Sequence, residues 1–242
     1  MAALGHITMQ IEHYDAITFD VYGTLVDWEP TILSSLKDWV GVRHPHADGA
    51  ELLDAFDRAR AHYQALSPAR PYPEILRSAY AYIVNEYGLD LDSEEQNRFG
   101  QSVATWPPYS DSVAALARLR DHCVLGALTN MDDHSFTTSH AKLNNCFDVV
   151  VSAERAGAYK PSLRHFVLGL TDLAARNISP QRVLHVAQSL RADVRPANLL
   201  GQDVVWINRE NRGLGHTGFG AELAVPMAMF PTMGSFVSAI VG

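Results

Sequence analysis

Five short runs rich in β-branched and apolar residues recur along the chain: AITFD (16–20), VLGALTN (124–130), FDVVVS (147–152), RVLHVAQ (182–188) and DVVWINR (203–209). Each ends in polar or small residues and is followed by a stretch with helical spacing. Repeated strand-to-helix alternation implies parallel strands, because a parallel neighbour is reached only through a crossover. The expected fold is therefore a doubly wound parallel α/β sheet. Ligands in such sheets bind beyond the carboxyl ends of the strands. That rule singles out Asp20, Thr129, Asn130, Ser152, Gln188 and Ser189 as site candidates.

Between the first and second runs the texture changes. Strand signals vanish from Trp28 to about Trp106, and apolar residues fall at helical intervals, as in Leu52, Leu53, Phe56, Ala59 and Tyr63, and again in Ile75, Ala79 and Ile83. This pattern predicts an inserted helical segment over 28–106, with a core made of 1–27 and 107–242. Pro107-Pro108 stiffens the return to the core, and SDSVAALARLR then restarts as a helix with Ser110 or Asp111 expected as its cap. Gly213, Gly215, Gly218 and Gly220 predict a loop over the core before a short final helix.

A length of 242 residues with 47% hydrophobic content suffices for a substantial core. Nineteen basic against 27 acidic residues give a net charge of −8, which offers no footprint for nucleic acid or an anionic membrane. The expected partner is a small molecule. Cys123 and Cys146 both sit in apolar surroundings and read as buried thiols in a reducing compartment. The first fifteen residues lack the pattern of a secretory signal, and no apolar run approaches the ~20 residues of a membrane span, so a cytoplasmic protein is expected.

The densest chemical signal is FDVYGTLVDW (19–28), in which an acid ends a buried strand and a glycine permits a sharp turn. Taken alone, Asp20 reads equally well as the cap of that turn. The segment resembles the first motif of the haloacid dehalogenase superfamily, in which the leading aspartate is a nucleophile supported by the threonine four residues on. Asp20 and Thr24 match those positions. Further segments follow in order: LTN, with Thr129 and Asn130; YKPS, with Lys160; and HVAQSLRADVRPANLLG, with Asp193. The resemblance implies a Rossmann-like core carrying a helical cap domain. It also implies that Thr129 and Asn130 bind the nucleophile or a substrate carboxylate, and that Asp193 orients Lys160 and the hydrolytic water.

Two departures narrow the implied chemistry. Phosphatases of that superfamily carry a second aspartate where this chain has Tyr22, and acidic residues where it has Gln188-Ser189. Mg²⁺ requires oxygen ligands, chiefly carboxylates, and too few remain there. Without the ion, a carboxylate and a phosphate repel at close range. An aromatic residue at position 22 resembles instead the metal-free 2-haloacid dehalogenases. In those enzymes the aspartate displaces a leaving group from carbon, with inversion, and water hydrolyses the resulting ester. The resemblance thus implies no cofactor and no metal, a short carboxylic acid as substrate and a homodimer. Tyr22 serves as an apolar wall, and Lys160 supplies the positive charge.

A cap arginine is implied for the departing halide. Of Arg58, Arg60, Arg70 and Arg77, Arg60 is chosen because it lies one helical turn after Phe56. Tyr72 and Tyr63 are offered as further pocket residues or as cap core. Gln188-Ser189-Leu190 stands where those dehalogenases have two serines and an asparagine, and Phe166 where they often have tyrosine. A different C–X bond, such as that of a strained-ring carboxylic acid, therefore stays open, with a phosphatase and a non-catalytic binding protein as more distant alternatives. His185, inside a strand, reads as a core histidine.

Overall fold

The structure, a computed structural model, describes residues 9–66, 70–209 and 221–242. Its centre is one parallel sheet of β1 (Ala16–Phe19), β2 (Val124–Leu128), β3 (Val149–Val151), β4 (Val183–Ala187), β5 (Asp203–Ile207) and β6 (Ala228–Phe230), in spatial order β3-β2-β1-β4-β5-β6. The doubly wound α/β expectation holds. Period-two alternation sends Ile17, Phe19, Leu125, Ala127, Leu184, Val186, Val205 and Ile207 into one apolar core, and Ala16, Leu128, Val183, Val204 and Trp206 into a second. Because β1 lies between β2 and β4, the strand order reverses beside it. The residue after β1 is Asp20, which places that carboxylate at the topological switch point.

Among the described residues, the regular structure over 28–106 is helical: α1 (Glu29–Leu36), a π-helical turn (Lys37–Gly41), α2 (Gly49–Leu66), α3 (Tyr72–Glu86), α4 (Ser93–Gly100) and a 3₁₀ turn (Ser102–Thr105). Leu52, Phe56 and Ala59 on α2 and Ile75, Ala79 and Ile83 on α3 are fully buried, while Leu53 and Tyr63 are half-buried. The chain leaves and re-enters the sheet side by side: the Asp27 N–H donates to the Pro107 carbonyl at 2.8 Å, and Val26 forms an antiparallel bridge with Pro108.

The core resumes with α5 (Ser112–Arg120), α6 (Asp133–Lys142), α7 (Ala153–Ala156), α8 (Arg164–Ala174), α9 (Arg195–Leu199) and α10 (Met233–Val241). The capping of α5 differs from expectation. Asp111 precedes it but makes no side-chain cap; its carboxylate instead accepts from the Gly234 N–H at 3.0 Å and from Arg209 Nη2 at 3.0 Å. Ser152 caps α7 by accepting from Arg155 N–H, so this strand-end hydroxyl is committed to structure. The final helix is present, but β6 was not expected. Its three residues, AMF, include none that is β-branched. The glycines at 213, 215, 218 and 220 lie outside the described residues.

Both cysteines are free thiols, Cys146 buried and Cys123 half-buried. Among the described residues no helix is long and apolar enough to cross a membrane.

One carboxylate joins the helical segment to the sheet. Asp132 Oδ1 accepts from Ser135 N–H at 2.9 Å, capping α6, while Oδ2 accepts from Tyr72 N–H at 2.8 Å at the start of α3. Replacing Asp132 with Ala removes a cap, typically ~1 kcal/mol, and leaves a buried N–H unpaired, ~1–3 kcal/mol. Urea denaturation should report a loss of about 2 to 4 kcal/mol for Asp132→Ala and a smaller loss for Asp132→Asn. An alanine variant within ~0.5 kcal/mol of wild type, as for an ordinary surface change, would show that the junction contributes nothing.

Candidate active site

Asp20 leaves β1 with its N–H still on the Val186 carbonyl at 3.1 Å, so the sheet fixes its backbone. The chain then turns tightly: Val21 O accepts from the N–H groups of Leu25 and Val26, and Gly23 takes φ +94°. A side chain at Gly23 would be strained in that conformation, and its Cβ would stand 3.3 Å from Gln188 Oε1. The turn carries Thr24 back over the strand, where its hydroxyl donates to Asp20 Oδ2 at 2.7 Å and accepts from Gln188 N–H at 2.8 Å.

Lys160 enters from the loop before α8 and is almost completely buried. Its three ammonium donors are all used: on Asp20 Oδ1 at 2.8 Å, Asp193 Oδ1 at 2.6 Å and the Leu128 carbonyl at 2.7 Å. Burial opposes the charge on Lys160, but the two carboxylates more than offset it and raise its pKa. For Asp20 burial dominates and pushes the carboxyl above its usual range, against the pull of Lys160. Asp193, despite its burial, is held below its usual range by Lys160 and His185.

His185 contacts Thr18 Oγ1 at 2.9 Å through Nδ1 and Asp193 Oδ1 at 3.4 Å through Nε2, with the Phe166 ring edge-on at 5.0 Å. It is a partnered core histidine, as expected, that also reaches the candidate site. Asp193 Oδ2 is buried and has no hydrogen-bond partner. Asp193 itself lies in a π-helical turn, Leu190–Val194, followed by α9. Ser189 Oγ fixes the turn by accepting from Ala192 N–H at 3.0 Å.

Asp20, Lys160 and Asp193 line a cavity of about 550 Å³ together with Tyr22, Trp28, Arg60, Tyr72, Asn130, Gln188, Ser189 and Arg191. Tyr22 presents an aromatic wall, edge-on to Trp106 at 5.6 Å, with its hydroxyl donated to Ser139 Oγ at 2.8 Å. Of the four arginines considered on the helical segment, Arg60 and Arg58 line the cavity. Arg58 is half-exposed and held by Asp54 and Glu86. Arg60 lies over Trp28 and Phe56, 5.2 and 5.6 Å from their ring centres, and pairs with Asp57 at 2.6 Å. Its Nε is buried without a partner. Arg70 pairs with Glu74. Tyr72 belongs to the cavity, whereas Tyr63 packs with His62 and Tyr82.

Thr129 and Asn130, expected to bind the nucleophile or a substrate carboxylate, are placed differently. Thr129 is fully buried and is not part of the lining; its hydroxyl accepts from Met131 N–H at 3.3 Å within its own turn. Asn130 lines the cavity but braces Lys160, accepting from the Lys160 N–H at 2.6 Å and donating to the Lys160 carbonyl at 3.4 Å. Both residues follow a strand end, yet the Thr129 hydroxyl is drawn into its own turn and the Asn130 amide to a loop thirty residues on, neither of which spacing reveals.

Sequence reasoning missed Arg209, which donates from Nε and Nη2 to the Thr24 carbonyl at 3.0 and 2.9 Å and lies 3.8 Å over Tyr109. Its place after β5 is the same strand-end signal that marked Asp20. Also missed was His165, fully buried with Nε2 on the Thr129 carbonyl at 3.2 Å. Burial, reinforced by Lys160, lowers its pKa to about 4, so it stays neutral beside the ammonium at pH 7. No sequence signal marks it.

Relatives can be set beside this geometry. The family model for haloacid dehalogenase-like hydrolases matches residues 14–201. The (S)-2-haloacid dehalogenase H-109 of Pseudomonas putida is 26% identical over 203 residues, 81% of this chain and 86% of that protein. The haloacetate dehalogenase H-2 of Moraxella sp. (strain B) is 26% identical over 222 residues, 88% of this chain and 94% of that one. Among solved structures, L-2-haloacid dehalogenase from Xanthobacter autotrophicus superposes with a TM-score of 0.76 at 21% identity, covering 93% of this chain and 97% of that one, a likeness of fold. The match to the family model spans most of the sheet and the helical segment between β1 and β2, and the chain belongs to the haloacid dehalogenase-like hydrolases.

Proposed function

We infer that the protein hydrolyses the carbon–halogen bond of a 2-halo carboxylic acid without a metal ion, using Asp20 as a covalent nucleophile. The observation that carries this reading is the buried array in which one ammonium, Lys160, is shared by Asp20 and Asp193 beneath an aromatic wall. The names of the relatives support the substrate class.

The Asp20 carboxylate attacks C2 from the side opposite the halogen. A C–O bond forms, the C–X bond breaks, and halide leaves with the bonding pair, inverting C2. Thr24 and Lys160 hold the carboxylate in line, and the Tyr22 ring keeps water from its reacting face. Arg60, on the helical segment that acts as a cap over 28–106, has a free Nε donor for the departing halide. In the second step Asp193 takes a proton from water, for which its unpartnered Oδ2 is the available acceptor. The resulting hydroxide attacks the ester at the Asp20 carboxyl carbon, the acyl C–O bond breaks, the alkoxide takes up the hydroxide's proton and leaves as a 2-hydroxy acid, and Asp20 returns as a carboxylate while Asp193 gives its proton to solvent.

The residues present do not suit a divalent cation. Asp20 and Asp193 both bond Lys160, Tyr22 stands where a further acid would be needed, and among the described residues no three His, Cys, Asp or Glu side chains converge.

Halide release from both enantiomers of 2-chloropropionate and from haloacetates, assayed in EDTA, tests the reading. Release should survive the chelator and fall at least ~10³-fold in Asp20→Asn, the scale on which loss of a nucleophile is felt. Release that needs added Mg²⁺, or that persists in the variant, would overturn it. A pH profile tests the state of the nucleophile. Asp20 must be ionised to attack, and burial raises its pKa, so kcat/KM should fall as the pH drops through a value above the ordinary ~3.9. An acid limb at or below ~3.9 would show that Lys160 and Thr24 outweigh burial.

A further inference from the structure

The cavity over Asp20 is roomier than a two- or three-carbon acid requires. Its volume of about 550 Å³ lies within the ~300–1,000 Å³ of pockets that enclose drug-sized ligands. Most of its charges are matched. Asp54 holds Arg58 at 3.1 Å, Asp57 holds Arg60 at 2.6 Å, and Asp20 and Asp193 share Lys160. Glu29 also lies on the wall and has its own interaction.

Arg191 is left over. It lines the cavity, is half-buried, and among the described residues its guanidinium has no hydrogen bond or ion pair. Its position is built rather than loose, because the π-helical turn Leu190–Val194 that carries it is held by the Ser189 cap and ends in the buried Asp193 and Val194. Burial works against its charge, and the neighbouring Arg60 works in the same direction, with Asp57 and Asp193 only partly offsetting them. A guanidinium withdrawn from water beside a second guanidinium, with no acceptor of its own, is an unfavourable arrangement until an anion arrives. The planar fork of arginine suits a carboxylate, which it can bind through two parallel hydrogen bonds.

We propose that Arg191 is a second anion-binding position, and that the preferred substrate is a 2-halo acid bearing another carboxylate at the far end of its chain, a halogenated dicarboxylic acid. This rests on the reading of Asp20 as the nucleophile at a carbon–halogen bond. The chemistry at C2 is unchanged: the far carboxylate forms and breaks no covalent bond, and Arg191 acts on selectivity.

Binding of hydroxy acids that correspond to the products separates the two readings, since it needs no turnover. Malate and lactate, each as both enantiomers, are titrated calorimetrically into wild type, Arg191→Gln and Arg191→Lys, with thermal melts to verify folding. Wild type should bind one malate enantiomer at least ~10-fold tighter than lactate, equivalent to ~1.4 kcal/mol. That ratio should collapse towards one in Arg191→Gln and be partly kept in Arg191→Lys. Malate bound no tighter than lactate, including no binding of either, overturns the proposal, as does a ratio that Arg191→Gln leaves intact. Halide release from 2-chlorosuccinate and 2-chlorobutyrate is measured in parallel. A malate preference that depends on Arg191, with release from neither compound, supports the anion position and overturns the carbon–halogen reading; release from 2-chlorobutyrate with no malate preference does the reverse.

Discussion

A single buried ammonium holds two carboxylates apart and together at the head of the sheet. Without Lys160, Asp20 and Asp193 would face each other as like charges in a poorly solvated space, and one of them would take up a proton. With it, both negative charges are sustained at the end of β1 and beside β4, and each keeps an oxygen clear of the ammonium. The surrounding structure serves that arrangement. Asn130 brackets the Lys160 backbone from both sides, the Leu128 carbonyl takes the third ammonium proton, and His165 stays neutral close by so that no second positive charge competes.

The other Asp20 oxygen is fixed by a relay that starts outside the cavity. Asp111 anchors Arg209, Arg209 grips the Thr24 carbonyl, and the Thr24 hydroxyl meets Asp20. The parts that converge here, β1 with the turn around Gly23 that follows it, β4 and the end of β5, are remote in sequence. The parallel sheet makes them neighbours because all its strands end on the same edge. Precision at the carboxylate therefore depends on strand register over the whole sheet more than on any single contact.

Much of this was legible in the sequence, for identifiable physical reasons. Asp20, Thr24, Lys160 and Asp193 are few, chemically distinctive, and placed at strand ends or in ordered motifs, so a pattern reader finds them and the fold brings them within hydrogen-bonding distance. Thr129 shows the limit, since being at a strand end does not say whether a hydroxyl faces a ligand or closes its own turn. Asn130 lines the cavity as its strand-end place suggested, but its bond to Lys160 was not foreseen because that partner lies thirty residues away in sequence. The insertion was evident from its change of periodicity, but whether an arginine on it faces inward or outward depends on tertiary packing. Arg60 was chosen by its phase relative to Phe56, while the cavity-facing Arg191 carried no pattern at all. β6 escaped because its three residues, AMF, include none that is β-branched, unlike the equally short VVV of β3.

The hydrogen bond between Asp27 and Pro107 has a consequence for how such a protein can change. The helical excursion begins and ends at one point on the sheet, so the core closes across the same short span whatever lies between. Lengthening such an excursion changes its closure entropy only slowly. Residues that shape the pocket from above, such as Arg60 and Tyr72, can therefore be exchanged wholesale without shifting the register that aligns Asp20 with Lys160. The groups that roof the pocket and those that fix the geometry around Asp20 thus sit on separable parts of the chain.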